Sequence, residues 1–109
     1  MIKTSSYHDA LLEDLRDPAE AAAYLNAGLD DSPEAFLKAM KNVAQAHQMA
    51  TVAKNAGVQR ETLYRSLSEQ GNPTLATLSS VLHVFGLKLS VEPEVAVLGT
   101  ESARQHATR

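Results

Sequence analysis

Helix start and stop signals recur along this chain at short intervals, and they dictate an architecture of short helices. Asp17, Pro18 and Glu20 have the spacing of an N-cap, a first helical position and an N3 residue. The Asp17 carboxylate can therefore accept a free amide hydrogen, while Pro18 lacks one that the first turn would leave unused. This helix is expected to run to about Ala27 and stop at Gly28, in the left-handed conformation of a C-cap. Ser32 and Pro33 repeat the start signal. Phe36, Leu37, Met40, Val43 and Ala44 then fall on one stripe, with Lys38, Lys41, Asn42 and Gln45 opposite. A short helix is predicted from about Ala50 to Ala56, ending at Gly57, and another from near Gln59 to Leu67 with Val58 and Leu63 facing inward. Gly71, Asn72 and Pro73 make a turn. Thr74 then caps a helix that carries Leu75, Leu78, Val81, Leu82 and Phe85 and ends at Gly86. Leu11, Leu12 and Leu15, at helical spacing between Tyr7 and Leu15, predict one more short helix.

Beyond Gly86 the apolar period changes from that of a helix to that of a strand, since Leu87, Leu89 and Val91 alternate with Lys88, Ser90 and Glu92. One strand cannot stay paired alone. The chain offers no other good strand, so the expected donor is the same segment of a second copy, which makes the protein a homodimer. The fold class is all-α, five to six helices with a short C-terminal strand over 87–91. Residues 1–16 form an N-terminal segment, 17–91 the helical domain and 92–109, without periodicity, a mobile tail. A length of 109 residues suits one compact domain.

Charge is unevenly spread. Residues 1–37 hold eight carboxylates, Asp9, Glu13, Asp14, Asp17, Glu20, Asp30, Asp31 and Glu34, against Lys3 and Arg16. Residues 38–91 reverse the balance, with Lys38, Lys41, Lys54, Arg60, Arg65 and Lys88 against Glu61 and Glu69. The formal net charge of −3 thus conceals an acidic first third and a basic middle. No cysteine is present, which excludes disulfides, thiolate metal sites and cysteine nucleophiles. There is no long apolar run, and Met1 to Ser6 lacks the apolar core of a signal peptide, so a cytoplasmic protein with no membrane association is expected. His8, His47, His83 and His106 are scattered without ligand spacing, His83 is read as a solvent-edge or packing residue, and no Gly-rich phosphate loop or nucleophile elbow occurs. Asp30 and Asp31 are read as turn and capping residues. No metal, cofactor or enzymatic activity is expected.

The segment at about 50–67 is the most informative. Two helices crossing at a wide angle need a small residue where their backbones meet, a left-handed residue in the turn and apolar residues that pin the second helix. Ala53, Gly57, Val52, Val58 and Leu63 meet those needs at the spacing of a helix-turn-helix. On the second helix Gln59, Arg60, Glu61, Tyr64 and Arg65 are then left on the exposed side. Gln can pair with adenine and Arg with guanine through two hydrogen bonds. Glu61 can accept from cytosine or orient Arg65, four residues on. Thr51, Lys54 and Asn72 are placed for phosphates, which fix register without reading sequence. A solvated helix face is the plainer account of any one of these residues, but their clustering favours double-stranded DNA.

From Asp9 to Val91 the chain resembles the small helix-turn-helix proteins known as addiction-module antidotes or prophage DNA-binding proteins, within the lambda-repressor-like superfamily. The resemblance is carried by Tyr24-Leu25-Asn26, Phe36-Leu37-Lys38-Ala39, Glu61-Thr62-Leu63-Tyr64-Arg65, Gly71-Asn72-Pro73-Thr74-Leu75 and Gly86-Leu87-Lys88-Leu89-Ser90-Val91. It implies an antitoxin that neutralises a cognate ribonuclease-like toxin and represses its own operon. The chain departs from the family at His47, Gln48 and Ala50, where members often carry Arg-Gly and then a Ser opening the next helix. Two other readings compete. A free-standing prophage or housekeeping repressor would have the same DNA-binding helix but no toxin, and a pure interaction module would keep the fold without binding DNA.

Overall fold

A computed structural model describes residues 4–94, with side chains from residue 7. Among these residues six helices follow one another: α1 (Thr4–Asp14), α2 (Pro18–Asp31), α3 (Pro33–Ala46), α4 (Met49–Ala56), α5 (Arg60–Ser66) and α6 (Leu75–Val84). The local start signals act as their chemistry requires. Asp17 accepts from the Glu20 amide at 3.2 Å, Ser32 Oγ from the Ala35 amide at 3.0 Å and Thr74 Oγ1 from the Thr77 amide at 3.1 Å. Each satisfies a donor that the first helical turn cannot.

α3 is the centre of the molecule. Its stripe of Leu37, Met40, Val43 and Ala44 is buried, and α2, α1 and α4 pack on it. Across the α2–α3 contact the Asn42 amide donates to the Tyr24 hydroxyl at 2.7 Å, a polar tie at the edge of an apolar seam. α6 packs on α4 through the opposite part of the core, where Val81, Leu82 and Phe85 are buried. Leu15, just past α1, is also buried in this core, with Leu11 and Leu12 packed against it. The N-terminal helix therefore shares the core of the rest.

Three expectations are corrected. Gly28 does not end α2; the helix continues to Asp31 and is followed by Ser32. A Cβ on Gly28 would lie 3.0 Å from the Ala35 carbonyl oxygen and 3.2 Å from Phe36 Cα, so the glycine serves the close approach of α3's backbone. Asp30 and Asp31 are accordingly the last residues of a helix, not turn residues, and the caps on either side of α2 are Asp17 and Ser32. α6 opens at Leu75 as expected, with that side chain 70 % exposed. Amphipathic spacing fixes which face of α6 turns inward, but not how far along the helix the core extends. Finally, no strand is present among the described residues: 87–91 forms no regular element and has no ladder partner. Leu87 packs against the core, whereas Leu89 and Val91 face solvent. The tail beyond residue 94 lies outside the described residues. No helix among the described residues is long and apolar enough to cross a membrane.

Candidate nucleic-acid interface

α4 and α5 are too short to persist by themselves and are held by burial. Val52 and Ala53 fix α4, while Leu63 and Leu67, both without solvent exposure, fix α5. The chain turns between them at Gly57, whose φ of +78° is left-handed and strained for any side-chain-bearing residue. The Val58 amide then donates to the Ala53 carbonyl at 2.9 Å, closing the turn and returning Val58 to the core edge.

Gln59 precedes α5 in an extended conformation and its side chain makes no cap hydrogen bond, so its amide group is free for an external partner. Gln59, Arg60, Glu61, Tyr64 and Arg65 are all exposed. At helical pitch the last four span an arc of about 140°, in which Glu61 and Arg65 lie farthest from Leu63 and Leu67 and Arg60 lies at the edge of their side. Glu61 in the first turn and Arg65 in the last have the signs that the helix dipole favours. The five residues expected to read bases are thus all exposed on or immediately before α5. Thr51 and Lys54 are also exposed but belong to α4, three residues apart on one face, and Asn72 is exposed in the turn between α5 and α6. These three stand on neighbouring elements, outside the α5 cluster.

One neighbour of that cluster was not singled out in sequence. Lys41 of α3 places Nζ 4.7 Å from the centre of the Tyr64 ring, a cation over an aromatic face. Its only sequence signal was membership of the polar side of α3.

The entry to α4 is unusual. Gln48 has a φ of +70°, the one described non-glycine residue with positive φ. His47 stacks on Phe85 with ring centroids 5.2 Å apart and an interplanar angle of 23°. Its Nε2 is buried without a hydrogen-bond partner. Arg16 Nε donates to the Ala46 carbonyl at 3.3 Å, at the end of α3. Burial first, and the Arg16 charge second, push the His47 pKa below its ordinary value. The imidazole thus packs on Phe85 in surroundings that disfavour its charged form. Among the described residues no three His, Asp or Glu side chains come together as a metal site.

A family model described as "probable addiction module antidote protein" matches residues 5–93, from α1 through the segment after α6. A protein of Haemophilus influenzae, described only as uncharacterized, is 40 % identical over 81 residues, covering 73 % of this chain and 84 % of its own length. No solved structure matches the chain. The family match takes in the α4–α5 pair, the caps of α2, α3 and α6 and the N-terminal helix together, and the chain belongs to the family of probable addiction module antidote proteins.

Proposed function

We propose that this chain is the antitoxin of a type II toxin–antitoxin module: a homodimeric, sequence-specific repressor of its own operon that also neutralises a ribonuclease-like toxin. The observation that carries the DNA half of this reading is the α5 surface. Two arginines, a glutamate and a tyrosine are exposed on a seven-residue helix anchored by Leu63 and Leu67, with an exposed glutamine, Gln59, immediately before it. On this reading α4, Gly57 and α5 are a lambda-repressor-like helix-turn-helix, and α5 enters the major groove. Arg60 and Arg65 then pair with base edges, Gln59 with adenine, and Glu61 accepts from cytosine or orients Arg65. Tyr64 packs beside them against the groove. Thr51, Lys54 and Asn72 meet phosphates at the flanks and set the register.

Family membership favours an antidote over a free-standing repressor, since an antidote implies a toxin to act on. Arg60→Ala and Arg65→Ala are each expected to weaken binding to the DNA upstream of the gene by about 1 to 3 kcal/mol and to relax selectivity. Lys54→Ala should weaken binding to all sequences alike and flatten the salt dependence. Titration of each variant on operator and on random duplex separates these effects. Equal losses on both DNAs for the two arginine variants would refute base reading.

A further inference from the structure

We infer that the DNA-binding surface does not end at α5 but continues onto α3, where Lys38 and Lys41 form a second phosphate-binding flank. The inference rests on the reading of the chain as a DNA-binding protein and concerns a site that this reading leaves unassigned.

Three observations join these lysines to the α5 surface. Lys38 and Lys41 are three residues apart and so lie on one face of α3. Lys41 sits over the ring of Tyr64, so its ammonium adjoins the groove-facing arc of α5 directly. Both lysines also line a shallow, open hollow of about 400 Å³, bordered by Leu67, Ser68, Glu69 and Gln70, the residues that leave α5. Its lining carries two cations and one carboxylate, in a chain whose net charge is negative. A helix in the major groove is bordered on both sides by phosphate strands, and the groove is about 12 Å wide. Lys54 and Thr51 belong to α4, which packs on α5, while Lys41 on α3 lies over Tyr64 with Lys38 one turn before it. A compact ammonium on a flexible stem suits a phosphate met as a point charge. Lys41 has a second effect, because a cation over the Tyr64 ring restricts where that side chain can point. It is a positioning residue for Tyr64 as well as a phosphate contact.

The competing account is that the two lysines only complement the partial negative charge at the carboxyl end of α5. That account predicts lower stability with no change in DNA binding. The test is the salt dependence of binding to a labelled duplex of arbitrary sequence, about 30 base pairs long, because binding to such DNA is almost wholly phosphate-driven. Lys38→Gln and Lys41→Gln should each reduce the slope of log affinity against log salt by about 0.9, and the pair by about twice that. Lys41→Arg, which keeps both the charge and the stacking, should restore the slope. Thermal melts of every variant give the stability separately, and Lys38→Gln alone, at an exposed position, is a safeguard should the double variant fail to fold. A slope unchanged in the folded lysine variants but reduced in Lys54→Ala overturns the α3 flank and leaves the DNA reading standing. A wild-type protein that binds no duplex at the lowest salt overturns both.

Discussion

Gln48 holds a conformation that a side chain disfavours, and its cost falls at the start of α4, the helix before α5. With φ at +70° and ψ at 115°, it lies outside the regions open to ordinary residues. Such a residue costs on the order of 1 to 3 kcal/mol, whereas glycine would adopt the geometry freely and lose about 0.5 to 1 kcal/mol through its greater freedom when unfolded. Gln48→Gly, the residue the resembling family often has here, is therefore expected to stabilise the fold by about 1 kcal/mol, a rise of about 4 to 8 °C in melting temperature by calorimetry. A fall in melting temperature would show that Gln48 is not strained. The adjacent His47 makes a different prediction, in pH. Its folded pKa lies below its unfolded one, so the unfolded chain takes up the proton first as pH falls. Stability is full above the unfolded value of about 6.5 and is lost as pH drops through that value toward the folded one. Between about pH 7.5 and 5.5, before carboxylates contribute, the wild type should lose more melting temperature than His47→Gln, whose side chain does not titrate. Parallel losses in the two proteins would remove His47 as the cause.

At the scale of elements, what could be read in the sequence was what the chain decides locally. The caps at Asp17, Ser32 and Thr74 are legible because donor and acceptor lie within one turn, and Gly57 because the turn after α4 needs a left-handed residue at that position. Gly28 was misread because its reason is the backbone of α3, brought against it only by the packing of two helices. Lys41 over Tyr64 was invisible because the two residues share no helix. The segment 87–91 is the sharpest case, since a strand is a relation between two backbones and a single chain here supplies one. Its Val91 is 97 % exposed, and Leu89 and Leu29 are exposed near it along a groove between α2 and this segment. Antiparallel pairing of two copies about Leu89 would set Leu87 opposite Val91 and Lys88 diagonal to Glu92, covering the apolar residues and opposing unlike charges. The expected outcome is a homodimer whose half-sites on DNA are about one turn apart, near 34 to 36 Å. Leu89→Lys, which places like charges across the two-fold axis, should shift the protein to monomer in light scattering and shorten its footprint to one half-site. A dimer unaffected by that change would place the interface elsewhere.

At the scale of the whole molecule the acidic first third remains, and the structure sorts its carboxylates. All eight are exposed. Asp17, Glu20 and Glu34 have local work at helix starts, where a negative charge is favoured. Asp9, Glu13 and Asp14 on α1 have no such role, and Asp30 and Asp31 stand at the end of α2, where the helix dipole disfavours them. Of the apolar residues interleaved with these charges, Leu15 and Leu25 are buried, and Leu11, Leu12 and Tyr24 pack against the core, so they are structural. Among the described residues of this stretch, the large apolar side chains that face solvent are Tyr7 on α1 and Leu29 on α2. A toxin that cleaves RNA presents cations for the phosphates, and an antidote can oppose them with carboxylates around an exposed aromatic anchor, the combination that α1 carries in Tyr7, Asp9, Glu13 and Asp14. The α5 surface, with its two arginines, has the wrong sign for that task, so toxin and operator are expected to use different surfaces and to bind together. Deleting residues 1–16 would be a poor test, because it removes Leu15 from the core. The combined substitution of Asp9→Asn, Glu13→Gln and Asp14→Asn leaves the core intact, since all three side chains are exposed. In co-expression with the toxic product of the adjacent reading frame, this variant should protect cells poorly, bind toxin with a flatter salt dependence and retain operator affinity. Full protection by it, with protection lost in Asp30→Asn, Asp31→Asn instead, would move the toxin contact to the end of α2 beside Leu29.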